Sequence, residues 1–219
     1  MEISVNGATL YYEAQGSGEP VILLHGNGES HQIFDKLSEK LKKNFKLYAI
    51  DSRNHGRSEK TDDFSYATMA KDIHDFIQKL ALGAVHFIGF SDGAIITLML
   101  AMKYPEMIKK MALLGINLKP EDFTADIYRE IKETYQQTND PFCKMMLEQP
   151  DIELEDVKNV DIQTLIIAAE HDIFKPETFK NLANAMPDAT LKIIPEQDHG
   201  SYIVDEDMLY PDLNVFFKM

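Results

Sequence analysis

The sequence predicts an α/β fold with a mostly parallel central sheet, helices on both faces and an antiparallel hairpin at its start. Short, continuous apolar runs of strand length alternate with segments whose apolar residues recur three or four positions apart. Such runs are typical of parallel strands covered on both faces, and their alternation with helices is typical of a parallel sheet. The hairpin is indicated by "EISV" and "ATLYYEAQ", which flank the turn-forming pair Asn6-Gly7.

After the hairpin, four strands are predicted at "VILLHG", "FKLYAID", "AVHFIGF" and "KKMALLGIN". A first helix between the first two of these strands is indicated by an apolar stripe, Ile33, Phe34, Leu37 and Leu41. A second helix before the third strand is indicated by another stripe, Met69, Ile73, Phe76, Ile77 and Leu80. A third helix from about Asp92 to Lys103 follows the third strand, so strands and helices continue to alternate.

The last part of the chain repeats the same pattern. "TLIIAAEHD" and "ATLKIIPE" predict two further strands. The helix between them opens at Pro176, because proline is well suited to a first helical position, and it carries Phe179, Leu182 and Met186 on its inner side. A C-terminal helical segment contains Pro211. In such a sheet, binding sites collect at the carboxyl ends of the strands.

One insertion, residues 117 to about 160, breaks this alternation. It contains no strand pattern, but an apolar stripe at helical spacing and the segment "PFCKMMLEQP" indicate two helices. An insertion rich in methionine and aromatic residues predicts a lid over the active edge of the sheet. The alternative is a surface helical hairpin that packs on itself. The candidate substrate-binding residues in this insertion are Phe123, Ile127, Phe142, Met145 and Met146.

The composition, with 44% hydrophobic and 26% charged residues, indicates one globular domain over residues 1–219. Lys and Arg number 22 against 36 Asp and Glu, a net charge of −14 that argues against nucleic-acid and anionic-membrane partners. No apolar run reaches the roughly 20 residues that span a bilayer, and no signal peptide is apparent. The single Cys143 fits a reducing compartment. We therefore expect a cytoplasmic protein; its oligomeric state is not indicated.

The segment Gly89-Phe90-Ser91-Asp92-Gly93 lies where a buried strand ends and a helix begins, the context in which G-x-S-x-G marks a nucleophilic serine. A sharp turn of this kind strains the middle residue and leaves no room for Cβ atoms two positions to either side. The serine then lies beside the free N–H groups of the helix, where negative charge is favoured. Taken alone, these five residues are equally compatible with a serine in an ordinary turn.

A nucleophilic serine needs an imidazole to remove its proton, and the imidazole needs a carboxylate to orient it. Asp172 ends the strand "TLIIAAEHD", and His199 lies in the loop after the next strand. The chain order serine, aspartate, histidine is the one that this sheet topology produces. We expect Asp172 to be the acid; its competitors are Glu170 in the same turn and Glu121 or Asp122 after the preceding strand.

Together these motifs resemble the α/β-hydrolase superfamily over nearly the whole chain, since "LLHGNGES", "DSRNHGRS", "AEHD" and "DHGS" accompany "GFSDGA". The resemblance implies an oxyanion hole formed by the backbone N–H groups of Asn27 and Asp92, with His25 and Gly26 shaping the turn. It implies a supporting role for "DSRNHGRS". The sequence departs from the family pattern before the acid, at Gln163 in place of proline and at Ala169 in place of glycine, neither of which takes part in proton transfer.

The resemblance implies a serine hydrolase that cleaves a small soluble ester through Ser91, His199 and Asp172, forms an acyl-enzyme and needs no cofactor. The alternatives are a thioesterase, a C–C hydrolase or a lyase with the same triad, or a ligand-binding or signalling protein of the same fold. No metal site is expected, because His171, Asp198 and His199 match none of the recognised helical zinc spacings.

Two further polar residues are open to more than one interpretation. His31, just past "HGNGES", is either a pocket residue or a surface residue at the start of a helix. Asp92, at the first helical position, complements the helix dipole. Its side chain begins one residue from the proposed nucleophile, so it is also a candidate for favouring substrates that carry a cation.

Overall fold

The computed structural model describes residues 1–218, whose eight strands form one sheet in the order β1-β2-β4-β3-β5-β6-β7-β8. The strands are Glu2–Val5 (β1), Ala8–Gly16 (β2), Glu19–Leu24 (β3), Phe45–Ile50 (β4), Val85–Phe90 (β5), Ile108–Leu114 (β6), Thr164–His171 (β7) and Ala189–Asp198 (β8). β1 and β2 are antiparallel, β2 joins β4 antiparallel, and the remaining pairs are parallel. The predicted fold class is confirmed.

Seven α-helices lie within residues 1–218: Asp35–Leu41 (α1), Tyr66–Lys79 (α2), Asp92–Lys103 (α3), Ala125–Thr138 (α4), Pro141–Glu148 (α5), Pro176–Ala185 (α6) and Tyr210–Lys218 (α7). The predicted first helix is divided, because a short 3-10 turn, His31–Phe34, precedes α1. Two clusters of buried apolar side chains cover the two faces of the sheet; α2, α3 and α6 contribute to one, α1 and α7 to the other. None of the helices within residues 1–218 is long and apolar enough to cross a membrane.

The hairpin forms for the reason that the sequence indicates. Asn6 and Gly7 adopt φ angles of +45° and +76°, which the two central residues of a tight hairpin turn require. Val5 is therefore paired directly with Ala8, and the hairpin continues to the pairing of Glu2 with Tyr11. This hairpin forms one end of the sheet and leaves the parallel strands as its centre.

The parallel order brings four loops to one edge of the sheet. β3, β5, β6 and β7 are consecutive neighbours, so the segments that follow their carboxyl ends are adjacent in space. These segments contain Asn27, Ser91, Asn117 and Asp172. The topology therefore assembles polar groups from distant parts of the chain.

The insertion between β6 and β7 contains α4 and α5, as predicted. α4 has no fully buried residue, and its Ile127 and Ile131 pack against the main core cluster from outside. α5 buries Cys143 and Met145. Backbone pairing between Phe123 and Phe174 joins the start of the insertion to the segment after β7. That the insertion acts as a lid stays a prediction.

Candidate active site

Ser91 occupies a strained turn between β5 and α3. Its φ and ψ are +52° and −115°, angles that residues with a Cβ rarely adopt. A Cβ at Gly89 would overlap the Gly93 carbonyl, and a Cβ at Gly93 would overlap the Leu24 carbonyl of β3. The two glycines are therefore required by close backbone approach, and the turn holds the serine hydroxyl at the sheet edge.

The structure brings Ser91, His199 and Asp172 into one chain of hydrogen bonds. His199 Nε2 lies 3.1 Å from Ser91 Oγ, and His199 Nδ1 lies 2.8 Å from Asp172 Oδ1. The Asp172 carboxylate is 2% exposed, and it also accepts the backbone N–H groups of Ala169 and Phe174. Because the carboxylate accepts Nδ1–H, the lone pair of Nε2 is directed at the serine.

The His199 ring is confined on several sides. A Cβ at Gly115, where φ is +55°, would lie 2.7 Å from His199 Cε1, so only glycine leaves room for the ring. The Phe90 ring packs against the imidazole with its centroid 4.9 Å away, and the Phe174 ring meets it edge-on at 5.2 Å. These contacts restrict the imidazole to the orientation in which one ring nitrogen faces Ser91 and the other faces Asp172.

The structure separates Asp172 from its competitors for the acid position. The Glu170 carboxylate accepts a backbone N–H from β8 at 2.8 Å. Asp122 accepts two backbone N–H groups of its own turn, at 2.7 and 2.9 Å. Glu121 is exposed. Within residues 1–218, His199 Nδ1 has Asp172 as its carboxylate partner.

Asn27 lies in the loop after β3, and Asp92 directly follows Ser91 as the first residue of α3. Both residues line the same cavity as Ser91 and His199. Within residues 1–218 neither amide N–H donates a hydrogen bond. At the position of Asp92, the partial positive charge of the helix terminus favours an anion. Both N–H groups therefore remain available as donors at this cavity.

The Asp92 side chain is fully engaged by the protein. Its carboxylate is buried; Oδ1 accepts the Tyr66 hydroxyl at 2.8 Å and Oδ2 accepts Asn27 Nδ2 at 2.9 Å. Burial raises the pKa of this carboxyl group, whereas the hydrogen bonds from Tyr66 and Asn27 oppose that rise. Each oxygen already has a donor, so a substrate cation is not needed to satisfy the group.

His25 shapes the turn after β3, in agreement with the role that the resemblance implies. Its Nδ1 lies 2.7 Å from the Gly26 carbonyl, and its Nε2 accepts the Ser52 N–H at 3.1 Å. The ring is thus neutral and protonated on Nδ1. Burial, reinforced by the nearby His55, lowers the pKa of His25 to about 4. Through Ser52, His25 ties this turn to the loop that follows β4.

His31 belongs to neither of its two predicted settings. It is 6% exposed, so it is not a surface residue, and it does not line the cavity beside Ser91. Its Nδ1 lies 2.7 Å from Oδ1 of the buried Asp51, which also accepts the backbone N–H groups of His31 and Arg57. His31 is therefore part of the packing around Asp51, and its assignment as a pocket residue is corrected.

The cavity beside Ser91 has a volume of about 200 Å³. From the insertion, Phe123 and Met146 line it, as predicted. Ile127, Phe142 and Met145 do not, and these three assignments are corrected. Phe142 instead packs on His55 and Phe64, Met145 is buried in the core, and Ile127 packs against the outside of the core.

Sequence reasoning missed several residues of the cavity wall, among them Glu29, Tyr66, Asn117, Gln149, Ile173 and Phe174. Ile173 and Phe174 directly follow Asp172, so their position in the chain was an available signal. Glu29 belongs to the quoted motif "HGNGES". Tyr66 and Gln149 carried no comparable signal, because only the packing of α2 and the insertion brings them to the cavity.

Glu29 places a carboxyl group beside the serine. Its Oε2 accepts the Gly26 N–H at 2.9 Å. A Cβ at Gly26 would lie 2.7 Å from that oxygen and 3.1 Å from Ser91 Cβ, so Glu29 and Ser91 flank the same point. Burial raises the pKa of Glu29. Among the residues described, no Lys or Arg lines the cavity, and no group of His, Cys, Asp and Glu is arranged to hold a metal.

The chain is similar to known hydrolases and to proteins named ethanol acetyltransferase. It is 36% identical over 140 residues to serine hydrolase BPHL of Mus musculus, covering 60% of this chain and 48% of that protein. It is 26% identical over 186 residues to ethanol acetyltransferase 1 of Cyberlindnera jadinii, covering 83% and 53% respectively. The chain thus spans about half the length of the curated relatives that it matches.

Solved structures share the fold over the whole chain. The meta-cleavage product hydrolase of Pseudomonas fluorescens IP01 superimposes with a TM-score of 0.84 at 20% identity, covering 100% of this chain and 97% of that one. The enol-lactonase of Burkholderia xenovorans LB400 gives 0.83 at 19% identity and covers 100% of both chains. A family model described as alpha/beta hydrolase fold matches residues 19–143, more than half of the sequence. The chain belongs to the α/β-hydrolase family.

Proposed function

We propose that this protein is a serine hydrolase that cleaves a small carboxylic ester. The observation that carries the proposal is the hydrogen-bond chain from Ser91 Oγ to His199 Nε2 at 3.1 Å and from His199 Nδ1 to Asp172 Oδ1 at 2.8 Å. A serine within reach of a correctly oriented imidazole is the arrangement that activates a hydroxyl for attack on a carbonyl. The similarity to a protein named serine hydrolase BPHL supports the proposal.

Acylation follows from the geometry around Ser91. His199 Nε2 takes the serine proton as Oγ attacks the ester carbonyl, and the buried Asp172 carboxylate stabilises the imidazolium that forms. The carbonyl oxygen becomes an anion and accepts hydrogen bonds from the Asn27 and Asp92 amides. His199 then donates its proton to the departing alcohol, which leaves an acyl-enzyme on Ser91.

Deacylation reverses the same proton transfers. The alcohol leaves the cavity and water enters, and His199 Nε2 removes a proton from the water as it attacks the acyl carbon. The same two amides accept the second oxyanion. His199 finally returns a proton to Ser91 Oγ as the acid is released. Apart from the substrate and water, every group that takes part belongs to this chain, so the proposed pathway requires no cofactor.

The cavity favours a small and largely apolar substrate. Its volume is about 200 Å³, and apolar side chains form much of its wall: Phe90, Phe123, Met146, Ile173 and Phe174. Phe123 and Met146 belong to the insertion, which supports the proposal that this segment covers the bound ester as a lid. We propose that the substrate is a small molecule and that nucleic acids and membranes are not partners.

Transfer of the acyl group to an alcohol is a second candidate function. It is favoured by the similarity to ethanol acetyltransferase 1 over 83% of this chain. Hydrolysis and transfer share the acyl-enzyme and differ only in whether water or an alcohol attacks it. Ethyl ester formed from p-nitrophenyl acetate in the presence of ethanol, measured by gas chromatography, identifies transfer.

The primary test compares wild type with Ser91→Ala on p-nitrophenyl esters of increasing acyl length. We expect kcat to fall by about 10⁶-fold in Ser91→Ala and by about 10⁴-fold in Asp172→Asn. A fluorophosphonate should label Ser91, as located by mass spectrometry. Labelling without turnover on any ester would favour a ligand-binding protein, and activity that survives Ser91→Ala would overturn the assignment of the nucleophile.

A further inference from the structure

We propose that the Asp92 side chain is a positioning residue that holds the loop after β3, through Asn27, so that both oxyanion-hole amides face the same point. The inference rests on the proposed function, because it assigns a role within the oxyanion hole. It replaces the hypothesis that the Asp92 carboxylate selects cationic substrates.

The contact that carries the inference joins the two loops of the oxyanion hole. Asn27 Nδ2 donates to Asp92 Oδ2 at 2.9 Å, although the two residues are 65 positions apart in the chain. The backbone N–H groups of the same two residues are the donors that remain available at the cavity beside Ser91. One side-chain hydrogen bond therefore connects the residues that supply both backbone donors.

The loop after β3 is held together at Gly26: its carbonyl, in the same peptide as the Asn27 N–H, lies 2.7 Å from His25 Nδ1, and its N–H donates to Glu29 Oε2 at 2.9 Å. Its one internal backbone hydrogen bond, from Glu29 N–H to the Gly26 carbonyl, is long at 3.3 Å. Gly28 follows Asn27 directly, is exposed and has a φ of +71°. These contacts lie within the loop, and among the described residues the hydrogen bond that joins the loop to α3 comes from the Asn27 side chain.

Asp92, in contrast, is held firmly enough to serve as the fixed partner. Its other oxygen accepts the hydroxyl of Tyr66, which is 1% exposed and belongs to α2. The Tyr66 backbone N–H in turn donates to Gln149 Oε1 at 3.2 Å. The carboxylate is thus anchored to the body of the protein through one oxygen and bound to Asn27, in the loop after β3, through the other.

Burying the Asp92 carboxylate at this position costs electrostatic free energy. It is buried beside the point where an oxyanion would form, and like charges repel strongly away from water. A buried carboxylate is tolerated when hydrogen bonds satisfy it, and here they come from Tyr66 and Asn27. Through its hydrogen bonds to Tyr66 and Asn27, the Asp92 carboxylate can position Asn27 before any substrate binds.

The test exchanges the side chains of Asn27 and Asp92. Asn27→Asp sets a carboxylate against Asp92, so we expect kcat on p-nitrophenyl acetate to fall about 10–100-fold with little change in KM, since an oxyanion-hole donor acts on the transition state. Asn27→Asp combined with Asp92→Asn restores an amide–carboxylate pair, and we expect kcat to recover to within about 5-fold of wild type. Asn159→Asp, on an exposed residue, adds the same charge elsewhere and should leave kcat unchanged.

Circular dichroism and thermal unfolding of each variant show whether it is folded. If Asn27→Asp does not fold, Asn27→Ala removes the donor without adding charge and should lower kcat in the same direction. Unchanged kcat in the folded single variant, or no recovery in the double variant, would overturn the inference. Activity that survives Ser91→Ala would instead overturn the proposed function.

A separate experiment tests whether the Asp92 carboxylate binds a substrate cation. Acetylthiocholine and 3,3-dimethylbutyl thioacetate have the same shape and differ in charge. For Asp92→Asn we expect the ratio of their kcat/KM values to stay within about 2-fold of wild type, since neither partner of the carboxylate is a substrate. A ratio that falls about 10-fold or more would show that Asp92 binds the cation and would overturn the positioning role.

Discussion

Single residues around Ser91 give the cavity an acidic character. Glu29 and Asp92 contribute carboxyl groups to its wall, and within the described residues no Lys or Arg opposes them. Asp92 is satisfied by two donors, whereas the Glu29 carboxyl accepts the Gly26 N–H and is half-buried. Glu29 is therefore the residue whose charge a substrate would meet.

Replacing Glu29 by Gln should relax discrimination against negatively charged acyl groups. Glutamine keeps an oxygen for the Gly26 N–H but removes the charge beside Ser91. We expect the rate with 4-nitrophenyl hydrogen succinate, relative to the rate with its methyl ester, to rise about 10-fold. A larger change would follow from two unscreened charges, but the site is partly exposed and water screens the repulsion. Steady-state kinetics at pH 8 measure the ratio. Glu177→Gln, on an exposed residue outside the cavity, is the matched control; an equal effect there would contradict a local role.

At the residue scale, the sequence indicated the members of the Ser91–His199–Asp172 hydrogen-bond chain where backbone geometry imposes a local sequence. Ser91 was predictable because its turn demands glycines on both sides, and His199 and Asp172 follow strands whose ends share one edge. The partners of polar side chains were not predictable in this way. His31 was assigned to a pocket or a surface, whereas it binds Asp51, a residue that lies 20 positions away in the sequence.

At the scale of elements, the insertion contributes to the cavity through its edges. Phe123 precedes α4, and Met146 lies near the end of α5. The apolar stripe of α4 was correctly predicted as helical, but Ile127 packs against the core. A stripe shows that a helix has an apolar face and does not show what covers that face.

Met146→Ala should enlarge the cavity and shift the preferred acyl chain to a greater length. We expect kcat/KM for p-nitrophenyl hexanoate, relative to the acetate, to rise about 10-fold, because a pocket distinguishes one or two methylene groups by about that factor. Met145→Ala is the control: Met145 is adjacent and buried but outside the cavity, so it should lower stability without changing chain preference. Equal shifts in both variants would argue against Met146 as a wall of the site.

The loop after β4 depends on a buried ion pair with α2. Arg53 Nε and Nη2 each lie 2.6 Å from an oxygen of Asp72, and both side chains are buried. Asp72→Asn leaves the Arg53 charge with only Asp63, a half-exposed carboxylate at 3.8 Å, so we expect the free energy of unfolding to fall by about 3 kcal/mol. Asp75→Asn on the same helix breaks a partly exposed pair with Lys71 and should cost less than about 1 kcal/mol. Urea unfolding compares the two; equal costs would contradict the prediction.

At the scale of the whole molecule, buried histidines tie stability to pH. The pKa of His25 falls from an ordinary value of 6.5 to about 4 because burial disfavours its charged form, and His55 and His86 shift in the same direction for the same reason. Between pH 6.5 and about pH 4, His25 therefore binds fewer protons in the folded state than in the unfolded chain. The stability from neutral His25 is complete above about pH 6.5 and is lost as the pH falls toward about 4.

We expect His25 alone to account for about 2 kcal/mol of lost unfolding free energy between pH 7.5 and pH 5. Urea unfolding at the two pH values measures the total loss. His25→Gln keeps an acceptor for the Ser52 N–H but binds no proton, so its loss should be smaller by about that amount. A variant that loses as much stability as wild type would show that His25 does not take up the proton.

By itself the sequence determined the order of the strands and helices, the hairpin, the strained serine turn and the chain order of Ser91, Asp172 and His199. These features depend on residues within a few positions of one another, through side-chain periodicity and backbone sterics. They can therefore be predicted from a single sequence. The predicted strand "KKMALLGIN" stops at Leu114 because Gly115, at positive φ, turns the chain beside His199.

Only the tertiary structure decided which side chains meet. Asn27 and Asp92 form a pair across 65 residues, Glu29 comes to lie beside Ser91, and Met146 lines the cavity while its neighbour Met145 is buried in the core. Such contacts depend on how the sheet order and helix packing bring distant segments together, and the hydrogen-bond partner of a polar group is chosen from whatever that packing supplies. The residues of the Ser91–His199–Asp172 hydrogen-bond chain could therefore be predicted from local sequence, whereas the residues of the cavity wall and the contacts that support it are a consequence of the fold.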